Sequence, residues 1–290
     1  MLFRSQAPGG ANDVLARMVA TRFQEAWGQP VVVDFKPGGG VIVATQYVAK
    51  SPPDGHVIGI ITSAHAINPA LGGKLPYDSV RDFIPVVRLG FNVLGLVVIP
   101  SLGVDDVKGL IELARQKPDV LSHGSNGIGL AAHLAGELFK SMTGTKMVHV
   151  PYKGGAPLYQ DMLGGRVPVA FAILASAVPL VKAGKLKVLG VTSPAPLPQF
   201  PGAQPIGATV KGFESSAWFG LFGPANLPPE ITQTLYQAAR HGLEQPAVRK
   251  RLENDGAQPS AMPPAEFANF VKQDVKRWAT VVKYSGAQPE

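Results

Sequence analysis

Hydrophobic and polar positions alternate along this chain in two ways, and each way predicts a different kind of element. The segment ANDVLARMVATRFQEAWGQP places Leu15, Met18 and Val19 on one helical face, and Gly28 marks the end of that helix. Short apolar runs such as VVVDF (residues 31–35) and HVIGIIT instead predict buried strands. Because strand-like and helix-like segments alternate, we expect an α/β protein with a mostly parallel sheet.

The pattern starts again after Ser101, which predicts two lobes. The predicted lobes are residues 1–98 with 220–290 and residues 99–219, so the chain is expected to cross between them twice. Residues 194–212 are rich in proline, glycine and alanine and are predicted to form a long loop. The amphipathic helices predicted at Glu230–Leu243 and Pro264–Ser285 have no sheet of their own and are expected to pack on the first lobe.

Composition narrows the classes of partner. Hydrophobic residues make up 46% of the 290 residues, which is ample for packed cores, and no apolar run is long enough to span a membrane. Lys and Arg number 27 against 20 Asp and Glu, and the net charge of +7 favours anionic partners, including acidic small molecules. The basic residues are scattered, apart from the short run Arg249–Arg251, and lack interleaved aromatic residues, so we do not expect a nucleic-acid binder.

The absence of cysteine and the sequence of the N-terminus bear on the chemistry and the cellular compartment of the protein. The absence of cysteine excludes disulfides, thiol catalysis and cysteine metal sites. No apolar h-region follows Met1, so the N-terminus does not resemble a signal peptide. The chain is therefore interpreted either as cytoplasmic or as a mature protein whose leader has been removed.

The stretch SHGSNGIGLAAHLAGELF (residues 122–139) holds the strongest candidate chemistry. Its Gly127–Ala132 segment fits the G-x-G-x-x-A variant of a dinucleotide-binding loop. That fingerprint also needs an acidic residue after the next strand, where this chain has Val150, Pro151 and Tyr152. A nucleotide-binding enzyme is therefore disfavoured.

Other catalytic and metal signatures are missing. The segment GSNG is not the G-x-S-x-G nucleophile elbow, so nothing supports Ser125 as a nucleophile. The six histidines show neither H-x-x-x-H nor H-E-x-x-H spacing, which argues against a metal site. His133 lies in an apolar helix and is interpreted as a packing or hydrogen-bonding residue. We expect no metal, no cofactor and no catalytic set.

Three glycine-rich turns each precede a predicted helix: QAPGGAND, GSNGIGLAAH and PYKGGAP. A helix N-terminus leaves backbone N–H groups unpaired, and its dipole favours negative charge, while glycine lets a ligand approach the backbone closely. Two such helix ends facing each other across a cleft would hold a molecule with an acid group at each end. Taken singly, each glycine pair could equally serve a tight turn.

These residues carry a family resemblance over nearly the whole chain. The segments APGGANDVLARMVA, GQPVVVDFKPGGG, VAKSPPDGHV, GSNGIGLAAHLAGELF, HVPYKGGAPLYQDMLGGRV and GLFGPANLPPEI resemble, in order and spacing, the substrate-binding receptors of tripartite tricarboxylate transporters, the Bug family. The resemblance implies a periplasmic, two-lobed Venus-flytrap binding protein, type II-like with two crossovers. Such a protein would close on a small carboxylate and hand it to membrane permease subunits, as a monomer with no cofactor and no catalysis.

The resemblance also implies the ligand-binding residues. They are expected at Ala7, Gly9, Gly10 and Asn12 in the first turn, at Ser63 and His65 after the third strand, at Ser125, Asn126 and Gly127, at Tyr152, Gly154 and Gly155, and at Ala172 and Ser176. No arginine lies in these loops, so recognition is expected through amides, hydroxyls and water bridges rather than through a guanidinium group.

Two departures from the family pattern bear on the ligand. Ser5 and Gln6 stand where relatives usually carry Pro-Phe, which predicts a more polar wall, and QPIGATVKGF lacks the usual P-T-x-x-E pattern. Two other functional classes stay open. One is a small-molecule enzyme that uses the same cleft, and the other is a ligand-sensing module of a signalling partner.

Overall fold

A computed structural model describes residues 2–4, 11–36, 41–254 and 257–285 of the chain. The described residues form two compact units. Unit 1 holds those within 1–91 and 218–279, and unit 2 holds those within 92–217 and 280–290. These divisions fall a few residues before the predicted crossings at 98 and 220. The end of the C-terminal helix groups with unit 2, whereas the sequence placed that helix wholly in the first lobe.

Strands and helices alternate along much of the chain. The first pass through unit 1 comprises β1 (Leu2–Arg4), α1 (Ala11–Trp27), β2 (Val33–Phe35), α2 (Ile42–Ala49), β3 (Ile58–Thr62), α3 (Ala64–Ile67) and the first part of β4 (Phe83–Val98). Unit 2 comprises the rest of β4, α4 (Val107–Gln116), β5 (Ser122–Ser125), α5 (Ala131–Thr143), β6 (Val148–Pro151), α6 (Gly155–Leu163), β7 (Val169–Ile173), α7 (Leu174–Lys182), β8 (Lys187–Val191), β9 (Gln204–Pro205) and α8 (Ile206–Thr209). The return to unit 1 passes through β10 (Ser216–Pro224) to α9 (Pro229–Glu244), α10 (Pro246–Asn254), β11 (Ala257–Met262) and α11 (Pro264–Ser285).

The sheet of unit 1 has the strand order β2-β1-β3-β10-β4, with β11 also paired to β4. Strands β1, β2 and β3 are parallel, and β10 runs antiparallel to β3. The helix α1 buries Leu15, Val19 and Phe23 in a core shared with β3, β4 and α9. At Gly242 of α9 an added Cβ would lie 2.5 Å from the sulfur of Met18, so the missing side chain lets α9 approach α1 closely.

The sheet of unit 2 has the order β8-β4-β7-β5-β6, with β9 beside β8. Strands β5, β6 and β7 are parallel, and β4 runs antiparallel to β7 and β8. Apolar side chains from β4, β7 and α6 form the core on one face, with Val97, Leu158, Met162 and Ala170 fully buried. Because β5, β6 and β7 are parallel, the loops that follow them meet at one edge of the sheet.

The structure confirms the predicted α/β class and the two long C-terminal helices, which form α9 and α11. Two predictions are wrong. The C-terminal segment does carry a strand, since β11 pairs with β4, and it includes the unpredicted helix α10. The predicted loop at 194–212 contains β9 and α8. None of the described helices is both long and apolar enough to cross a membrane.

Candidate functional site

A pocket of ≈ 440 Å³ opens in unit 2 at the carboxyl ends of β5, β6 and β7. The described residues that line it come from the turn after β5, the first half of α6, the end of β7 and the start of α7: Asn126, Gly155, Ala156, Leu158, Tyr159, Ala172, Ile173 and Ser176. Ligands of open α/β sheets commonly bind at this edge. The structure thus brings four of the predicted site residues, Asn126, Gly155, Ala172 and Ser176, to one pocket.

The N-terminus of α6 contributes unpaired backbone donors to the pocket. Gly154 precedes the helix at φ 102°, a conformation that favours glycine, and no side chain caps the helix. Gly155 and Ala156 occupy the first two helical positions, and both line the pocket. Since the third position is Pro157, which has no N–H, the first turn presents two amide donors. This arrangement suits one carboxylate group.

Two main-chain hydrogen bonds hold the two glycine-rich turns of unit 2 together. The amide of Tyr152 donates to the carbonyl of Ser125 at 3.0 Å, and the amide of Gly154 donates to the carbonyl of Asn126 at 3.3 Å. The turn after β5 and the turn after β6 are therefore fixed relative to each other. Asn126 and Gly155 reach the same pocket because of these bonds.

Buried side chains hold the turn between β5 and α5. Ser125, fully buried, has its Oγ 3.1 Å from the carbonyl oxygen of Gly127 and 2.8 Å from Nε2 of His149. At the end of the turn the amide of Gly129 donates to Nδ1 of His133 at 3.0 Å. Ser125 and Gly127 thus lie beside the pocket, where the Ser125 hydroxyl is engaged within the protein.

A cluster of three histidines lies beneath this turn. The ring of His133 stacks on that of His149 with centroids 3.9 Å apart, and His123 lies 5.0 Å from His149. Glu137 accepts a hydrogen bond from Nε2 of His123 at 3.2 Å and from Nζ of Lys140 at 2.8 Å. Among the described residues, no group of His, Asp and Glu has the arrangement of a metal site.

The three histidines of the cluster are neutral near pH 7. Burial is the main cause that lowers the pKa of each of the three, to about 4 for His133 and about 3 for His149. For Glu137 burial opposes ionisation, but the hydrogen bonds from His123 and Lys140 hold its pKa down at about 2. Glu137 and Lys140 therefore form the charged pair of the cluster.

A chain of hydrogen bonds crosses the pocket wall between α6 and α7. The hydroxyl oxygens of Tyr159 and Ser176 are 2.7 Å apart, and the Ser176 hydroxyl donates to the carbonyl of Ile173 at 2.7 Å. A serine hydroxyl has one proton, so the Tyr159 hydroxyl is the donor to Ser176. Burial raises the pKa of Tyr159 above its ordinary value, so the hydroxyl keeps its proton at neutral pH.

Tyr152 was predicted as a ligand contact, but its hydroxyl takes no part in the hydrogen bonds of Tyr159 and Ser176. It donates to Oδ2 of Asp161 at 2.8 Å, and Asp161 also pairs with Arg166. Burial and the Asp161 carboxylate raise the pKa of Tyr152 to about 12. Tyr152 and Gly154 are not among the residues that line the pocket.

The predicted residues of unit 1 lie elsewhere. His65 is fully buried in α3, with Nε2 2.8 Å from the carbonyl oxygen of Ser79, and burial lowers its pKa to about 4. Ser63 is also buried, and its amide donates to the carbonyl of Trp218. Ala7, Gly9 and Gly10 lie outside the described residues, as does the side chain of Asn12.

Unit 1 has a pocket of its own, of ≈ 410 Å³, which contains none of the predicted residues. Phe23 and Trp27 line it together with the carboxylates of Asp54 and Glu230. Two acidic side chains on its lining would repel an anion. The pocket of unit 2 is the better candidate for an acidic ligand, because its described lining residues include backbone donors and no charged side chain.

Four lining residues of the unit 2 pocket were not predicted: Ala156, Leu158, Tyr159 and Ile173. One signal was available for Tyr159, which follows Gly155 by four positions and so lies on the same helical face. The histidine cluster had no comparable signal, because its members come from three separate elements.

Comparisons with known proteins show which proteins this chain resembles. The family model described as "Tripartite tricarboxylate transporter family receptor" matches residues 15–287. Protein BugT of Bordetella pertussis is 33% identical over 285 residues, which are 97% of this chain and 87% of BugT.

Two solved structures are similar over nearly the full length. An R. palustris protein with adipate is 35% identical with a TM-score of 0.77, covering 100% of this chain and 97% of its own. MatC from Rhodopseudomonas palustris with bound malate is 28% identical with a TM-score of 0.74, covering 97% and 98%. These likenesses confirm the predicted periplasmic-binding-protein fold and the resemblance to solute-binding receptors.

Proposed function

This chain belongs to the tripartite tricarboxylate transporter receptor family, and from that premise we propose that it is a periplasmic receptor for a small organic carboxylate. It delivers this solute to the membrane permease subunits of a tripartite tricarboxylate-type transporter. It acts by binding and release, without chemical change of the solute.

The observation that carries the proposal is the pair of amides at the start of α6. The N–H groups of Gly155 and Ala156 have no partner within the helix, and both residues line the pocket. The helix dipole adds a favourable potential for negative charge at the same place. Because the described lining residues are uncharged, these amides are the strongest feature among them for an anion to recognise.

The remaining predicted contacts complete the site. Asn126, Ala172 and Ser176 line the same pocket, and Ser125, Gly127, Tyr152 and Gly154 hold its two turns in place. The family resemblance adds the first glycine turn, with Ala7, Gly9, Gly10 and Asn12, as a second source of backbone donors. Ser63 and His65 support unit 1 from its interior.

Two relatives support a carboxylic acid as the solute class. The R. palustris structure contains adipate and the MatC structure contains malate, and both are acids with a carboxylate at each end. The net charge of +7 favours the approach of such anions at low salt.

Ligand binding can be tested by thermal unfolding with matched acids and amides. We expect adipate, malate or a related acid to raise the melting temperature at millimolar concentration, because binding to the native state stabilises it by mass action. The diamides adipamide and malamide, which lack the charge, should have no effect. If none of a library of mono-, di- and tricarboxylates raises the melting temperature, the proposed function is wrong.

Two further measurements separate this function from its rivals. NMR of a bound acid after prolonged incubation should recover it unchanged, whereas conversion to a product would show an enzyme. Uptake of the acid into vesicles that contain the cognate permease subunits should require the receptor. Uptake that proceeds equally without it would contradict delivery.

A further inference from the structure

The unit 2 pocket is lined by hydrogen-bond acceptors as well as by the α6 amides, and we infer that the solute is a carboxylate with an uncharged hydroxyl group, such as a 2-hydroxy acid. This inference rests on the proposed function and adds the ligand class. It depends on the oxygens of Asn126, Tyr159 and Ser176, all of which line the pocket.

The first acceptor is the side-chain oxygen of Asn126. Among the described residues it is a buried atom without a hydrogen-bond partner. A buried polar atom without a partner has lost its hydration and gained no hydrogen bond in exchange, so such an atom is normally paired in the working state of a protein. Because Asn126 lines the pocket, a ligand donor can supply the missing partner.

The hydroxyl oxygens of Tyr159 and Ser176 are the second and third acceptors, because their own protons are used in hydrogen bonds within the protein. The Ser176 proton is committed to the carbonyl of Ile173, and the Tyr159 proton is committed to Ser176. Each hydroxyl oxygen keeps an unused lone pair but has no proton left to donate. When both of these bonds are made, both hydroxyl protons are used, and each oxygen can still accept from a ligand hydroxyl.

The pocket thus offers both donors and acceptors to a ligand. The amides of Gly155 and Ala156 are suited to the carboxylate, and the oxygens of Asn126, Tyr159 and Ser176 are suited to a donor group. An ammonium group would also be a donor, but none of the lining residues that the structure describes carries a negative charge to pair with it. Desolvation of an unpaired charge is costly, so a neutral hydroxyl is favoured over an amino group.

Matched ligands test the inference by calorimetric titration of the native protein. Succinate, malate, oxaloacetate and aspartate share one carbon chain and differ at C2 in hydrogen, hydroxyl, keto oxygen or ammonium, and adipate with 2-hydroxyadipate repeats the comparison in a longer chain. We expect the hydroxy acid to bind at least tenfold more tightly than the others at its chain length, because a site built for a hydroxyl leaves its own groups unpaired with other ligands.

Two variants connect the preference to these residues. Asn126→Leu, of similar size, should reduce the preference for the hydroxy acid to less than threefold. Ser176→Ala frees the Tyr159 proton, and we expect it to raise the affinity for oxaloacetate relative to malate. Circular dichroism and the melting temperature of each ligand-free variant establish that it is folded.

The outcomes distinguish a failure of the hydroxyl inference from a failure of the proposed function. Equal binding of succinate and malate, or tighter binding of aspartate or oxaloacetate, overturns the hydroxyl inference and leaves the carboxylate receptor intact. A hydroxyl preference that survives both substitutions also overturns the inference, because these oxygens would not be its source. If no acid binds at all, the proposed function fails and the inference fails with it.

Discussion

Nδ1 of His133 accepts a hydrogen bond from the backbone amide of Gly129, with 3.0 Å between the two nitrogens. An acceptor at Nδ1 requires a neutral imidazole whose proton is on Nε2. The glycine turn that holds Asn126 at the pocket is therefore anchored at its far end by a histidine in one specific protonation state. Burial supports that state by lowering the pKa of His133 to about 4.

Replacement of His133 tests this anchor. His133→Leu removes the acceptor and leaves the Gly129 amide without its partner, so we expect a loss of about 1–3 kcal/mol in unfolding free energy and weaker carboxylate binding. His133→Gln can reach back to the same amide, as a glutamine does in a capping box, and should retain most of both. Denaturant unfolding and calorimetry measure the two effects. Equal behaviour of the two variants would contradict an anchoring role.

Stability should fall when the pH is lowered from about 7 to 5. The folded-state pKa values of His133 and His65 are about 4 and that of His149 about 3, whereas an unfolded histidine titrates near 6.5. Between these values the unfolded state binds more protons, so acid favours unfolding, and His133 alone accounts for about 2 kcal/mol. Glu137 adds nothing in this range, because its stabilisation is lost only below about pH 4.5.

Melting temperatures measured from pH 7 to pH 5 check this expectation. The variant His133→Gln should show a shallower decline than the wild type, since one of the titrating groups is gone. A melting temperature that stays constant or rises over this range would show that these histidines are protonated or exposed in the native protein.

Access to the α6 amides can be blocked by a single side chain. In Gly155→Val the added Cβ lies 3.4 Å from the ring of Tyr159, which is close but tolerable, and the new side chain adds bulk at a residue that lines the pocket. We expect at least a tenfold loss of carboxylate affinity with little change in stability. Gly202→Val is the matched control, because Gly202 is exposed and has no atom within 4 Å of an added Cβ. Equal affinity of both variants would exclude these amides as the carboxylate site.

The buried bond between Trp218 and Asp274 should be a main support of unit 1. Nε1 of Trp218 donates to Oδ2 of Asp274 at 2.8 Å, and Asp274 also pairs with Arg277. Asp274→Ala leaves both donors without their acceptor and should cost about 3 kcal/mol. Asp274→Asn keeps an oxygen for Trp218 and should cost less. Urea unfolding compares the two, and an unchanged midpoint in Asp274→Ala would contradict this role.

Tyr152→Phe should change ligand affinity by less than threefold. The Tyr152 hydroxyl is bonded to Asp161, and Tyr152 does not line the pocket. Calorimetry with the best carboxylate from the library measures this directly, and Tyr159→Phe provides the contrast within the pocket. A tenfold or larger loss in Tyr152→Phe would place its hydroxyl on the ligand.

Local patterns predicted the elements whose signals lie close together in the sequence. The helix α1 carries its own apolar face and a terminal glycine, and α6 begins at the predicted glycine turn. The strand β4 runs without a break from Phe83 to Val98. Within it Gly90 permits a close approach, since an added Cβ would lie 2.7 Å from the carbonyl oxygen of Gln258 in β11.

Local sequence patterns could not predict the features that depend on tertiary contacts. The strand β11 has the sequence AQPSAM, which lacks apolar alternation and forms a strand through its pairing with β4. His123, His133 and His149 come from β5, α5 and β6, so no fixed spacing relates them. The engagement of the Ser125 and Tyr152 hydroxyls within the protein likewise depends on partners distant in sequence or across a turn.

The bonds from Tyr152 to Ser125 and from Gly154 to Asn126 have a consequence for engineering and for divergence among relatives. If residues 122–129 alone are exchanged between two receptors, the transferred turn has to form its main-chain hydrogen bonds with a second turn that came from the other receptor. A chimera that moves 122–129 and 148–159 together keeps its internal register. The specificity of such receptors should therefore be transferable in pairs of segments rather than one residue at a time.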